Sequence, residues 1–230
     1  MEPVSLHPFD PAIATQLVEH LTTQASPDLD KAANGDELAS NRVTYALGQS
    51  LARAYPSFFT DGFGLTTWEA RIDRGIGMLM RPPSRLFIDA GLDRSVVAAM
   101  PIRLDLQGGL MGGAWIPARL IPNLQELLDS RLERMARRLN DAEYDAFAML
   151  GLMQRATDHA AEHHLGLFEA IGVIGPQGEH EPGTTVIVPD RRQMDIDLIR
   201  RIETAILPPK KQGLISRILG RSKGTPGDAP

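Results

Sequence analysis

The residues best suited to chemistry stand together in the string Asp158-His159-Ala160-Ala161-Glu162-His163-His164. On a helix, His159 and His163 fall one turn apart on the same face, with Glu162 beside them. Two imidazoles so placed can share a divalent metal while the carboxylate activates a water. His159, His163 and Glu162 are therefore the candidate metal ligands, and a divalent metal is the one cofactor the sequence suggests. The competing expectation is a solvated acidic helix face on which three histidines balance local negative charge, with no cofactor at all.

The string His159-Ala160-Ala161-Glu162-His163 resembles the signature of the inverted-zincin proteases over its five residues. The resemblance implies metal-dependent hydrolysis and a further glutamate ligand from a later helix. Glu169, Glu179, Glu181 and Glu203 are the glutamates that follow.

A second group is Arg71, Arg74, Arg81 and Arg85, interleaved with Gly75, Gly77 and Pro82-Pro83. Guanidinium forks beside glycines can hold a phosphate or carboxylate, so these four form a candidate anion-binding set. The alternative is that they pair with Asp89, Asp93 and acidic helices. The glycine run 108–113 lacks the Lys-Ser/Thr of a phosphate loop and is expected at turns or close packing. No serine lies in a Gly-x-Ser-x-Gly turn, and His7, His20 and His180 are expected at the surface.

The third feature is the C-terminal tail, residues 210–230. As a helix it gathers Leu214, Ile215, Ile218 and Leu219 on one side, with Lys210, Lys211, Arg217 and Arg221 around them. Such a segment suits an anionic membrane surface or a groove on a partner protein. It is similar to the short basic amphipathic tails that end some peripheral membrane ATPases, and the similarity is confined to the tail. Each basic residue contributes about 1 kcal/mol near an anionic surface and each buried aliphatic side chain roughly 1.5 to 3 kcal/mol. Ordering the segment costs about 1 to 2 kcal/mol per residue, so a single tail should bind weakly and reversibly.

The elements that must position these residues read as α+β. Residues 1–60 are expected to be helical, with Asp10-Pro11 starting one stripe through Ile13, Leu17, Val18 and Leu21, and Val43, Leu47 and Leu51 forming another. Residues 61–121 are expected to be mainly β, with strands at 65–72, 77–80, 86–88 and 102–106 and one more at 112–116. They predict an antiparallel sheet of about four to six strands. Residues 122–171 read as a helical hairpin. Its first helix carries Leu124, Leu128, Leu132, Met135 and Leu139 on one face, and Asn140 with Glu143 starts a second that runs through Phe168. Gly151 in that second helix implies that another backbone approaches there or that the helix kinks. Residues 184–207 are expected to be a strand and a helix capped by Asp190, completing a single domain over 1–209.

The chain has 230 residues, 43% of them hydrophobic, which is enough for a real core and excludes wholesale disorder. It contains no cysteine, so disulfide and thiolate chemistry are excluded. Charges or prolines interrupt every apolar run before membrane-spanning length, and the N-terminus lacks the pattern of a secretory signal. The expected location is the cytoplasm, with peripheral attachment at the inner face of a membrane. Net charge is −5, yet residues 139–190 hold nine acidic residues against Arg155 alone, and residues 191–230 hold nine basic against four acidic. This polarity disfavours nucleic acid and favours a protein partner, an anionic surface, or a homodimer through the helical hairpin. The function expected is that of a noncatalytic interaction or adaptor protein recruited by its tail, with a metal-dependent hydrolase at His159, Glu162 and His163 as the alternative.

Overall fold

The computed structural model describes residues 4–23, 27–39, 42, 54–60, 62–92, 94, 114–172 and 185–207. Among the described residues two apolar layers enclose a five-stranded sheet, and the molecule is α+β as expected. The strands are β1 (Val4–Phe9), β2 (Ser57–Phe59), β3 (Trp115–Ile116), β4 (Gly166–Ile171) and β5 (Val186–Ile187). Their order is β3-β4-β1-β2-β5. β1 pairs antiparallel with β4 along its whole length, from Val4 opposite Ile171 to Phe9 opposite Gly166. β5 runs parallel to β2, with Ser57 opposite Val186. The sheet is therefore mixed, which corrects the expected antiparallel one.

The helices are α1 (Pro11–Thr23), α2 (Pro27–Ala33), α3 (Pro83–Asp89), α4 (Ile121–Asp141), α5 (Ala146–Glu162) and α6 (Ile196–Ile206). Side chains alternate across the sheet. Leu6, Phe58, Ile116 and Leu167 pack with α4, α5 and α6, while Phe9, Trp115, Phe168 and Ala170 pack with α1, α2 and α3. With both faces covered, β1 and most of β4 are buried at every position, so neither shows the alternation that marks a half-exposed strand.

Residues 4–9 and 57–59 fall in the segment 1–60 expected to be helical, and the structure makes them strands instead, β1 the middle one of the sheet and β2 its neighbour. Pro8 is tolerated in β1 because of register. The Val4 carbonyl accepts from Thr60 N–H at 2.9 Å, so alternate residues 4, 6 and 8 direct their backbone groups toward β2. Pro8 lies beyond β2's pairing with Ser5 and Leu6, where no ladder donor is needed. Asp10 does open α1, accepting from Ala12 N–H at 2.8 Å, and Pro11 is the first helical residue.

Three expected strands are helical instead. Residues 65–72 form a turn of α-helix (Leu65–Thr67) followed by a π-helical turn (Trp68–Ile72), 77–80 overlaps a 3₁₀ turn (Ile76–Met78), and 86–88 lies in α3. Leu65, Trp68 and Ile72 are buried at helical spacings of three and four, and Ile76 is buried at the start of the next turn. The β-branched and aromatic residues around them suggested a strand, and burial of the helical stripe decided otherwise. The expected strand 102–106, the glycine run 108–113 and the stripe at Val43, Leu47 and Leu51 lie outside the described residues.

The expected pair of long helices is present with shifted ends. α4 runs through Asn140, and α5 begins only after Asp145, whose carboxylate accepts from the Phe147 and Ala148 amides at 3.0 Å each. Glu143 sits in the connection with a left-handed φ of 62°. α5 ends at Glu162 and Phe168 belongs to β4, which corrects the expected helix through Phe168. Gly151 admits a side chain rather than a backbone, since a Cβ there would lie 2.9 Å from Met194 Cγ. Asp195, not Asp190, caps α6, and Asp190 caps the short turn Arg191–Gln193 before it.

Candidate anion-binding groove

The apolar stripe of α4 fixes which residues face outward. With Leu124, Leu128, Leu132, Met135 and Leu139 buried, Arg131, Arg134 and Arg138 fall three and four residues apart along one flank of the helix. That flank faces the π-helical turn. There the Asp73 amide donates to the Trp68 carbonyl five residues back at 2.8 Å, which ends the helix and presents Asp73 to α4.

Asp73 is buried at 1% exposure. Its carboxylate accepts from Arg131 Nη1 at 2.7 Å, from Arg134 Nη2, and from the Gly75 amide at 2.8 Å. Burial alone would raise its pKa, but the hydrogen bonds from Arg134, Gly75 and Arg131 outweigh burial and hold it below the usual carboxylate range. Glycine is required at position 75, because a Cβ there would lie 2.6 Å from Arg131 Nη1 and 2.9 Å from Asp73 Oδ1. Arg138 donates to the Ile72 carbonyl at 2.5 Å, and Arg71 donates to the Tyr144 hydroxyl at 2.6 Å.

The result is an open groove of about 520 Å³ walled by Arg71, Arg74, Arg131, Arg134 and Arg138, with Asp73 and Glu69 as its acidic members. Five guanidinium groups against two carboxylates leave a local excess of three positive charges in a chain whose net charge is −5. Its side chains can donate forked hydrogen bonds to phosphate or carboxylate oxygens. Its described lining holds no serine, threonine or histidine to act on them.

Half of the expected arginine set is here. Arg81 instead donates to the carbonyls of Met80 at 2.7 Å and Met78 at 3.3 Å, and Arg85 pairs with Asp89 at 2.9 Å along α3. The three arginines of α4 were missed, although their spacing is as legible as the apolar stripe behind them.

The three histidines stand at the end of α5. The rings of His159 and His163 lie 4.4 Å apart between centroids, and His159 is also 6.1 Å from the Phe58 ring. His159 Nε2 is buried without a hydrogen-bond partner. Burial and then the neighbouring His163 lower the pKa of His159, against an opposing pull from Glu162. α5 ends at Glu162, His163 caps it, and both are exposed. Among the described residues no three histidine, aspartate or glutamate side chains come together as a ligand set for a metal.

Two buried polar residues escaped the sequence reading. Expected at the surface, His7 is 1% exposed on β1, where its Nε2 lies 2.7 Å from Ser5 Oγ and its Nδ1 2.9 Å from Ser57 Oγ. Glu169 on β4 is 3% exposed and accepts from the Thr66 amide at 3.0 Å and the Thr66 hydroxyl at 2.9 Å. It caps the helix at Leu65 from another element, in place of Gly64, which has no side chain to do so. The tail residues Lys210, Lys211, Leu214, Ile215, Arg217, Ile218, Leu219 and Arg221 lie outside the described residues.

Among the described residues no helix is long and apolar enough to cross a membrane. Compared with family models, with curated proteins and with solved structures, the chain has no match.

Proposed function

We propose that the protein is a noncatalytic interaction protein that binds an acidic segment of a partner protein in the groove between α4 and the π-helical turn. The observation that carries this reading is the local excess of arginine. Arg131 and Arg134 hold the buried Asp73, Arg138 and Arg71 each give one donor to the Ile72 carbonyl and the Tyr144 hydroxyl, and each five-donor guanidinium keeps further N–H groups for a ligand. Arg74 and Arg71 are exposed at the mouth, where a carboxylate-rich peptide would meet them first. Residues 210–221 supply a second, weaker contact to an anionic membrane surface. The test is calorimetric titration of the full chain with an oligoglutamate peptide and with inorganic phosphate. Binding of the peptide that weakens steeply with added salt is expected, because exposed charge pairs are screened within about 10 Å at 0.1 M salt.

The alternative reading, a divalent metal at His159 and His163, is favoured by one observation: the unpartnered Nε2 of His159 beside the His163 ring. Elemental analysis of the purified chain separates the two. Near-stoichiometric zinc, iron or manganese that is lost in His159→Ala/His163→Ala would displace the interaction reading. Metal-free protein would remove the alternative.

A further inference from the structure

A second groove, on the other side of α4 from the arginines, has the opposite character. Its floor is apolar, built from Leu128 and Leu132 of α4, Leu150 of α5 and Leu198 of α6. Asp129, Asp158, Asp195 and Asp197 stand around it, with Arg201 as the basic member of the lining. Arg201 is already held by Asp129 at 2.5 Å and Glu133 at 2.9 Å, and Arg200 faces Asp197 at 3.4 Å on the exposed side of α6. Asp158 and Asp195 have no basic partner among the described residues. Ile196, between two of the rim aspartates, is 61% exposed.

Apolar floor and acidic rim are complementary to one segment of this chain. Residues 210–221 combine Leu214, Ile215, Ile218 and Leu219 with Lys210, Lys211, Arg217 and Arg221. The segment also starts in reach. α6 forms one wall of the groove, and the chain leaves its far end at Leu207. Leu198 lies nine residues back along the helix, about 13 Å at 1.5 Å per residue. The six residues between Leu207 and Leu214 span up to about 20 Å when extended, enough to return the aliphatic residues to the floor.

We infer that residues 210–221 dock in cis into the acidic-rimmed groove between α4, α5 and α6, aliphatic face down and basic residues on the rim aspartates. The tether gives the segment a high effective concentration at the groove, so a contact too weak to hold a free peptide is populated within one molecule. The same aliphatic face would be needed for a membrane surface, so groove and membrane compete for it.

The chain has no cysteine, so Ser216→Cys gives a single attachment point for a nitroxide, away from the aliphatic face. Amide signals of the full-length, isotope-labelled protein are recorded with the nitroxide oxidised and then reduced. Docking in cis predicts selective loss of signal at Leu128, Gln154 and Leu198 and none at Val18, which lies under the opposite face of the sheet. The loss should disappear in 1 M salt, where the Debye length is about 3 Å. It should also disappear in Asp158→Lys/Asp197→Lys, whose exposed positions leave the core intact. Losses confined to another surface, or no selective loss, overturn the proposal. So does equal loss when spin-labelled, unenriched chain is mixed with unlabelled, isotope-enriched chain, which would place the tail on a second copy.

Discussion

Glu169 and His7 show how single buried groups set the pH response of this molecule. Burial pushes the Glu169 carboxyl up to about 7, against hydrogen bonds from Thr66 and Leu65 that favour its ionised form. The folded chain then keeps a proton that the unfolded chain releases near 4.5. This contribution is complete below about 4.5 and is lost as pH rises through about 7, worth up to about 3 kcal/mol. Burial moves His7 the other way, down to about 3. Its contribution is complete above about 6.5 and is lost as pH falls toward 3. Between about 4.5 and 6.5 the two slopes oppose one another. Glu169→Gln removes one of them, so its stability by denaturant melts should rise with pH across that window more steeply than that of the parent chain. Parallel profiles for the two proteins would show that Glu169 is ionised throughout.

At the scale of elements, the cap that Glu169 provides ties β4 to the Leu65 turn. A Cβ on Gly64 would lie 2.5 Å from Glu169 Cδ, and that carboxylate is too buried to move aside. Gly64→Ala should therefore cost about 1 to 3 kcal/mol, the range for stranding a buried hydrogen-bonding group. The backbone there has φ −85°, which alanine adopts freely, so a melt unchanged by the substitution would show that the carboxylate does not hold the turn. The same link explains what could be read in the sequence. α4 was legible because its leucines repeat along one helix with solvent on the other side. The Leu65 turn was not, since the group that caps its helix lies more than a hundred residues away in the chain. β1 and β4 were hidden for a different reason: they are buried on both faces, and buried strands lose the alternation that identifies them. At the arginine groove, Arg71 and Arg74 were legible as a local cluster. Arg131, Arg134 and Arg138 join them only because α4 packs its leucines inward and its arginines against the π-helical turn.

At the scale of the whole molecule, two grooves of opposite charge lie on either side of α4, one rich in arginine and one rimmed by aspartate. A net charge of −5 conceals this division, which arises because the stripes of one helix face different neighbours. The arginine groove has binding groups in excess of what the buried Asp73 needs, and an acidic peptide segment is the ligand proposed for it. The most direct test is oligoglutamate titration of Arg71→Glu/Arg74→Glu beside the parent chain. Both substitutions lie at exposed positions, so the variant should keep the parent's fold by circular dichroism. Two reversed charges at the mouth should weaken binding by at least about tenfold, equivalent to about 1.4 kcal/mol. Equal affinity of the folded variant and the parent would contradict the account, leaving the arginines as supports for Asp73 and the Ile72 carbonyl.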